Sequence, residues 1–202
     1  SAYILHINGR HRKLMRSAMA VAKEVGTIIS LDGGAQRYDE DMKPITEASH
    51  IVIVARDYAE KYTGTTNLED ACRIIHERGA FIAGVTDGAN GSYFVWPDGT
   101  SYRCEPFSQA TVVDTTGAGD SFHGAFLYML TKTLCKIADG TNTSTMNETS
   151  QSLNAIDLLH SCAHEDLEKA ATFASAVAAL NTQGIGGRSP LPSLEDIKAL
   201  IG

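Results

Sequence analysis

The chain has 202 residues, a net charge of −7, 43% hydrophobic residues and 18 glycines. This size and composition exclude a disulfide-dependent mini-protein, a disordered chain and a collagen-like repeat, and they indicate one domain with a packed core. The excess of acidic residues argues against nucleic-acid binding through a globally basic surface.

The charge is unevenly distributed along the chain. The first 23 residues carry no acid and five basic side chains, namely Arg10, Arg12, Lys13, Arg16 and Lys23. Such a cluster suits a solvated face, an anionic substrate, or acidic side chains on another segment or chain. These alternatives stay open from the sequence.

The cysteines and the hydropathy indicate where the protein resides. Its four cysteines contain no C-x-x-C pair, so neither a zinc site nor a redox pair is indicated. No apolar run reaches the ~18 residues that a membrane span requires, and no signal peptide opens the chain. We therefore expect a reduced, cytoplasmic protein that has no membrane partner.

The first part of the chain alternates between strands and helices. Apolar runs predict strands at residues 3–7, 27–31, 51–54 and 81–85. Helices are predicted up to Val25 and over residues 58–62 and 68–75. The first helix has a shared apolar face that consists of Leu14, Ala18, Val21, Ala22 and Val25. This alternation predicts a doubly wound α/β fold around a parallel sheet.

The pattern changes after residue 91. Residues 92–96 and 100–104 flank the turn Pro97-Asp98-Gly99, which predicts a β-hairpin. A strand at 111–113 then leads through a glycine turn at 114–120 into an amphipathic helix. A polar surface insertion is expected from Gly140 to Ser152. A helix over 167–178, a glycine loop at 184–187 and a final helix capped by Ser193 complete the chain.

The turn D-T-T-G-A-G-D at 114–120 is the segment that carries chemistry. Gly117 and Gly119 let the backbone approach a ligand closely, and the amides at the start of the next helix favour a phosphate. The Asp120 carboxylate lies beside them and is suited to accept a proton from an attacking hydroxyl. A bland interpretation fits the spacing equally well: Asp120 caps the helix, and the glycines only shape a tight turn.

A family resemblance favours the catalytic interpretation. The segment D-T-T-G-A-G-D-S-F at 114–122 closely resembles the signature of the ribokinase, or PfkB, family of carbohydrate kinases. V-T-D-G-A-N-G-S at 85–92 is similar to the nucleotide-side strand end of that family, and F-A-S-A-V-A-A-L at 173–180 to its adenine-side helix. The resemblance runs from about Tyr3 to the C-terminus and is interrupted by a polar insertion at about 136–165. It implies a ribokinase-like, doubly wound, mostly parallel sheet with a β-hairpin.

The resemblance also implies an activity and the residues that perform it. The activity is phosphorylation of a sugar or nucleoside hydroxyl by ATP with Mg²⁺. Asp120 would be the general base, and the anion hole would consist of the amides of Gly117, Ala118 and Gly119. The adenosine pocket would be lined by Thr86, Gly88, Gly91 and Ser175. A potassium ion would lie at backbone groups of Asp114 and Thr116, close to the loop with Gly186 and Gly187.

One segment departs from the common pattern of the family. Many members carry Asn-x-x-Glu for Mg²⁺ where this chain has Ala55 and Tyr58, so Asp57 or Glu60 would have to substitute, unless they only line a helix face. Asp87 likewise stands where an apolar residue is usual. Together with I-N-G-R at 7–10, this segment resembles the ketohexokinase branch. That likeness implies a ketose acceptor, with Asn8 and Arg10 near the phosphate or the substrate.

Members of the family are longer than this chain at the N-terminus. The resemblance therefore implies that residues 1–202 are the C-terminal portion of one kinase domain, without the first strands and the lid. The exposed edge of the sheet would be covered by a missing N-terminal segment or by a second copy in a homodimer. The alternative function is a noncatalytic nucleotide-binding or assembly module derived from a truncated sugar kinase.

Overall fold

A computed structural model describes residues 3–107, 111–143, 154–188 and 191–202, with only the helical backbone described for residues 141–143. Six strands form one sheet in sequential order: β1 (Ile4–Ile7), β2 (Ile28–Gly33), β3 (Ile51–Ala55), β4 (Ile82–Thr86), β5 (Ser92–Val95) and β6 (Ser101–Cys104). Strands β1 to β4 are parallel, and β5 and β6 add an antiparallel hairpin to β4. The predicted mostly parallel sheet with a β-hairpin is confirmed.

Helices cover both faces of the sheet. One face carries α1 (Arg12–Glu24), α2 (Lys43–Glu47), α3 (Arg56–Thr63) and α4 (Leu68–Glu77), and the other carries α5 (Ala118–Thr143), α6 (Ala155–His160), α7 (His164–Asn181) and α8 (Leu194–Ile201). Because strand side chains alternate between faces, Ile29 and Leu31 pack under α1 to α4, while Ile28 packs under α5 to α8. The central strands are buried on both faces and therefore have almost continuous apolar sequences.

Local signals in the sequence set several helix ends. Asn67 caps α4 by accepting the N–H groups of Glu69 and Asp70. Ser193 caps α8 in a reciprocal capping box with Asp196, as predicted. Helix α3 ends at Gly64, which adopts a left-handed conformation with φ of 82°. No described helix is both long and apolar enough to cross a lipid bilayer.

The apolar face predicted for α1 is wrong in part, since of its five residues Ala22 is buried and Ala18 half-buried, but the other three are exposed. Leu14, Val21 and Val25 are 69%, 60% and 64% exposed, whereas Met15, Met19 and Ala22 are buried against the sheet. Both sets follow a helical period, so periodicity alone does not choose between them. The choice is made by tertiary contacts: Arg12 pairs with Asp39 and Asp41, which fixes the rotation of the helix about its axis.

Two expectations for the second half of the chain also differ from the structure. Residues 111–113 are an exposed irregular segment and not a strand. The polar insertion expected at about 136–165 is narrower, because α5 continues to Thr143 and α6 contributes buried Leu158 and Leu159 to the core. The helical backbone therefore includes the first residues of the expected surface segment 140–152, and residues 144–152 lie outside the described part of the chain.

His50 joins the starts of three strands. Its ring Nδ1 accepts the N–H of Ile29 at 2.9 Å, its own N–H donates to the Ile29 carbonyl at 2.9 Å, and its carbonyl accepts the N–H of Phe81 at 2.8 Å. Burial, and to a smaller extent the charge of Lys23, lowers the pKa of His50. An imidazole that accepts a backbone N–H must be neutral at that nitrogen.

Acidification is therefore expected to destabilise the fold through His50. The folded state binds this proton less readily than the unfolded chain, so the stability that His50 confers is complete above its ordinary pKa of 6.5 and declines as the pH falls below it. Urea unfolding at several pH values measures the effect. His50→Asn should have a weaker pH dependence, because its Oδ1 is attached to Cγ as Nδ1 is in histidine and accepts the same N–H without titrating. An unchanged pH dependence in that variant would contradict this assignment.

Candidate active site

The predicted site residues gather at one edge of the sheet. Parallel strands β1 to β4 end at the same edge, which places the residues after β1 (Asn8 to Arg10), the end of β2 (Asp32), the start of α3 and the end of β4 (Thr86) along it. The N-terminus of α5 meets this edge through His123, whose Nε2 lies 3.3 Å from Asp32. In open α/β sheets, ligands bind outside this carboxyl edge.

The turn before α5 is fastened to the loop after α7. The N–H of Val113 donates to the Thr182 carbonyl at 2.8 Å, and one carboxylate oxygen of Asp114 accepts the N–H of Gly186 at 2.9 Å. Gly117 has φ of +82°, and a Cβ there would lie 2.4 Å from Cα of Gly187. Only glycine allows the two loops to approach this closely. Together they form what we call the phosphate cradle, residues 114–120 and 182–187.

The first turn of α5 supplies the free amides of the cradle. The Ala118 N–H already donates to the Thr115 carbonyl at 3.2 Å, and the first helical hydrogen bond of the ladder runs from Ser121 N–H to Gly117 O at 2.8 Å. The helix itself therefore offers no acceptor to the N–H groups of Gly119 and Asp120. Of the predicted anion hole of Gly117, Ala118 and Gly119, the Ala118 amide is therefore engaged within the turn, and the anion hole itself stays a prediction. The Asp120 carboxylate is exposed beside these amides.

A cleft of about 420 Å³ opens next to Asp120. It lies between α5, α7 and the C-terminal segment, and its walls are mostly apolar, with Tyr128, Phe173, Val177, Leu194 and Ile197 among the lining residues. The rings of Tyr128 and Phe173 lie 6.2 Å apart. A cleft with apolar walls and one carboxylate at its end can accept a flat heterocycle together with a charged tail.

Ser175 is not among the residues that line this cleft, and its role in the adenosine pocket stays a prediction. It faces Cys104 on β6: burial raises the pKa of that thiol, and hydrogen bonding to Ser175 acts in the opposite direction. The residues of α7 that do line the cleft are Phe173 and Val177, four positions apart. Helical spacing from Asp120 through Gly124 to Tyr128 would have identified the facing wall on α5.

Thr86, Gly88 and Gly91 lie together at the end of β4 and in the turn that follows it. The Thr86 hydroxyl is 3.5 Å from the Val54 carbonyl, so it is at most weakly bonded to backbone. Gly91 has φ of +84°, and a Cβ there would lie 2.3 Å from the Cys104 carbonyl oxygen. The requirement for glycine at 91 is thus explained by packing against β6, and Thr86 and Gly88 face the open edge of the sheet.

An ion-pair network occupies the segment that departs from the Mg²⁺ pattern of the family. Arg56 donates to Glu60 at 2.9 Å and to Asp87 at 2.7 Å, so the unusual acid at 87 has a cationic partner. The Asp57 carboxylate accepts the N–H of Gln36 at 2.6 Å, a residue with φ of 60°. Asp57 and Glu60 are therefore both engaged within the protein, which disfavours either as the substitute for the missing Mg²⁺ carboxylate.

Tyr58 occupies the position of the missing glutamate and is fully buried. Its hydroxyl lies 2.6 Å from the hydroxyl of Thr46, and burial raises its pKa to about 12. It therefore contributes to the core beneath α2 and α3 and not to the edge of the sheet. Within the described part of the chain, no group of three or more His, Cys, Asp or Glu side chains is arranged to hold a metal ion.

The Asp114 carboxylate links the two loops of the cradle. Its two carboxylate oxygens accept the N–H groups of Thr116 and Gly186, both at 2.9 Å, and these bonds hold the pKa of Asp114 below its ordinary value. The monovalent-cation site predicted at backbone groups of Asp114 and Thr116 lies at this junction of the two loops and stays a prediction.

Asn8 and Arg10 follow β1 at the same edge. The Asn8 side chain accepts the N–H of Arg10 at 3.3 Å, and the backbone carbonyl of Asn8 accepts a hydrogen bond from Arg37 at 3.1 Å. Of the basic N-terminal cluster, Arg12 pairs with Asp39 and Asp41 and lowers the pKa of Asp39. Arg12 thus pairs with acids on another segment, whereas Arg10 stays exposed beside the site.

Comparison with known proteins gives a consistent result. The model of the pfkB family carbohydrate kinases matches residues 3–194. Among curated proteins, the 5-dehydro-2-deoxygluconokinase of Shouchella clausii is 24% identical over 217 residues, which cover 100% of this chain and 57% of that protein. The chain therefore spans little more than half the length of this relative.

Solved structures of similar fold come from the same group of enzymes. A fructokinase from Vibrio cholerae, in a form bound to fructose, ADP and calcium ion, has a TM-score of 0.73 and 21% identity, covering 100% of this chain and 61% of its own. The aminoimidazole riboside kinase from Salmonella enterica, complexed with aminoimidazole riboside and an ATP analogue, has a TM-score of 0.71 and 19% identity, covering 100% and 63%. At this identity, the likeness is evidence of a shared fold.

Proposed function

Because the chain belongs to the pfkB family of carbohydrate kinases, we propose that it transfers the γ-phosphate of ATP to a sugar hydroxyl, with Asp120 as the general base. The single observation that carries the proposal is the phosphate cradle. An exposed carboxylate lies beside first-turn helix amides that have no helical acceptor, at the mouth of an apolar cleft. Phosphoryl transfer needs this combination of a proton acceptor and positioned donors.

The two parts of ATP have different partners in this proposal. The adenine occupies the cleft between α5 and α7, where Phe173 and Val177 supply apolar contacts. The phosphates extend toward Thr86 and Gly88 and end at the amides of Gly119 and Asp120. The partial positive charge of the α5 N-terminus stabilises the charge that develops on the transferred group.

Two cations complete the proposal. Mg²⁺ binds mainly through the phosphates of ATP, because such ions are usually held by substrate oxygens and one or two carboxylates, and it neutralises phosphate charge. A potassium ion would be held by backbone carbonyls near Asp114 and Thr116 and in the facing loop, whose Gly186 N–H donates to the Asp114 carboxylate. Neither ion requires a dedicated carboxylate cluster.

We further propose a ketose as the acceptor, on the basis of residues 7–10 and the altered segment at 55–58. Asn8 and Arg10 lie at the same edge as Asp120 and are suited to bind the hydroxyl groups of a sugar or the phosphate. Among the relatives, the fructokinase structure contains fructose. The 5-dehydro-2-deoxygluconokinase relative indicates by its name a different, acidic sugar.

An acceptor screen tests this function. The full-length gene product is incubated with ATP, Mg²⁺, K⁺ and single ketoses, aldoses or nucleosides, and ADP formation is followed by a coupled assay. We expect turnover with a ketose above that with its matched aldose, for example fructose above glucose. Turnover with an aldose or a nucleoside alone would overturn the ketose assignment. Binding of ATP without turnover on any acceptor would instead support the noncatalytic nucleotide-binding module.

A further inference from the structure

A buried polar cluster lies beneath the first turns of α5. Among the described residues, Asp32 and His123 are the only acidic and basic side chains that are buried, with exposures of 5% and 4%. They lie on the face of the sheet that packs Ile28 and Ile53 against α5, and buried Ser30 and the His6 ring, 5.6 Å from that of His123, lie beside them. Burial of such groups is costly unless they are paired, so their presence here needs an explanation.

The cluster is a chain of contacts across three segments. Nε2 of His123 lies 3.3 Å from one carboxylate oxygen of Asp32, and the other oxygen lies 3.3 Å from Nη1 of Arg37. The same Nη1 donates to the Asn8 carbonyl at 3.1 Å. Burial acts to raise the pKa of Asp32, but His123 and Arg37 outweigh it and keep that pKa below its ordinary value. Asp32 is therefore a buried anion held between the His123 ring and the Arg37 guanidinium.

The chain connects the two sides of the proposed active site. His123 follows Asp120 by three residues on α5, so the two side chains are about one helical turn apart. At the other end, Arg37 holds the backbone of Asn8, two residues before the exposed Arg10. The helix that carries the proposed base and the loop proposed to contact the acceptor are thus joined through one buried carboxylate.

We propose that Asp32 and His123 are positioning residues that fix Asp120 relative to the loop of Asn8 and Arg10. The proposal rests on the function proposed above and assigns a further role within the same site. It explains why the pair replaces apolar packing: a buried polar pair contributes little net stability compared with apolar residues of equal volume. His123 even leaves its second ring nitrogen buried without a hydrogen-bond partner in the described structure. The control that the pair gives over the position of Asp120 offsets the cost of burying these polar groups.

Steady-state kinetics of the full-length gene product test the proposal. His123→Ala should lower kcat by ~10- to 100-fold, because a shift of ~1 Å in a catalytic group has an effect of this size. The dissociation constant for ATP should change by less than ~3-fold, because the cradle loops are held by separate bonds. His123→Gln should recover much of kcat, since its amide N–H can replace the donor to Asp32. If His123 has only a structural role, His123→Ala should lower stability without a selective loss of kcat at unchanged ATP affinity.

A matched control separates positioning from general loss of stability. Thr46→Val removes two other buried hydrogen bonds, those of the Thr46 hydroxyl with Tyr58 and with the Met42 carbonyl, on the opposite face of the sheet. It should lower Tm by about as much as His123→Ala and leave kcat unchanged at a temperature where both variants are folded. The proposal is wrong if kcat falls equally in Thr46→Val, or if His123→Ala retains kcat within ~3-fold, which is well short of the expected loss.

A measurement that needs no turnover distinguishes this proposal from the function on which it rests. In hydrogen–deuterium exchange, His123→Ala should speed exchange both in the first turn of α5 and in residues 8–10 and 33–37, whereas Thr46→Val should not. Exchange that increases in only one of the two regions would overturn the coupling, whatever the activity. If instead the exchange result holds but Asp120→Asn remains fully active, the catalytic role of Asp120 fails and the physical coupling stands.

Discussion

Replacing Asp120 by Asn should lower kcat by ~10² to 10⁴-fold, the usual contribution of a general base. Asparagine has almost the same size and shape as aspartate, but its amide cannot accept the acceptor hydroxyl's proton. The affinity for ATP should stay within a few-fold of the natural protein, because the apolar cleft and the cradle amides are unchanged. Turnover is measured with the best acceptor, and ATP binding is measured by calorimetry.

If Asp120 only caps the helix, a different result is expected. A first-turn acid that only complements the helix dipole contributes about 0.3–1 kcal/mol of stability and nothing to turnover. Asp70 is an exposed acid in the first turn of α4, so Asp70→Asn measures that dipole effect away from the site. If Asp120→Asn merely reproduces the small loss of stability of Asp70→Asn, with kcat reduced less than tenfold, Asp120 is not the base.

Replacing Gly117 by Ala should damage both stability and turnover. Alanine at φ of +82° is strained, at a cost of about 1–2 kcal/mol, and its Cβ would lie 2.4 Å from Cα of Gly187. Because that atom is backbone, the two loops must separate, which adds about 1–3 kcal/mol. Separation moves the first-turn amides of α5, and a misplaced anion-hole donor typically lowers kcat by ~10² to 10³-fold.

The hairpin turn of β5 and β6 offers a control for the strain alone. Gly99 has φ of +86°, and a Cβ there would meet no atom within 4 Å. Gly99→Ala should therefore show the conformational cost of about 1–2 kcal/mol with unchanged kcat. Thermal unfolding compares the two variants, at roughly 2–4 °C of Tm per kcal/mol for a chain of this size. Equal losses in both variants would contradict the close contact of the two loops.

Local and repetitive features of the fold were predictable from the sequence. Strands such as Ile51–Ala55 are continuous apolar runs because they are buried on both faces. The Pro97-Asp98-Gly99 turn and the Ser193 cap act through their immediate neighbours, so their effect is visible in a short window. The glycine turn at 114–120 combined an unusual backbone requirement with a carboxylate, which also made it recognisable.

Features that depend on tertiary contacts were not predictable in this way. The rotation of α1 is fixed by the pairing of Arg12 with Asp39 and Asp41, which lie on a different segment, so both of its apolar faces were compatible with the pattern. Ser175 matched a family segment, but its side chain faces Cys104 on β6. The pairing of Asp32 with His123 joins residues 91 positions apart, and no local spacing indicates it.

The phosphate cradle is closed by residues distant in the chain, since Asp114 and Gly186 are 72 positions apart. Much of the intervening sequence forms α5 and α7, which pack together along the sheet and return the chain to the cradle. The far end of α5 is about 35 Å from Asp120 at 1.5 Å per residue. A sequence change at that far end is therefore separated from the reacting groups by the whole length of α5, and it can reach them only through the packing of α5 against α7 and the sheet.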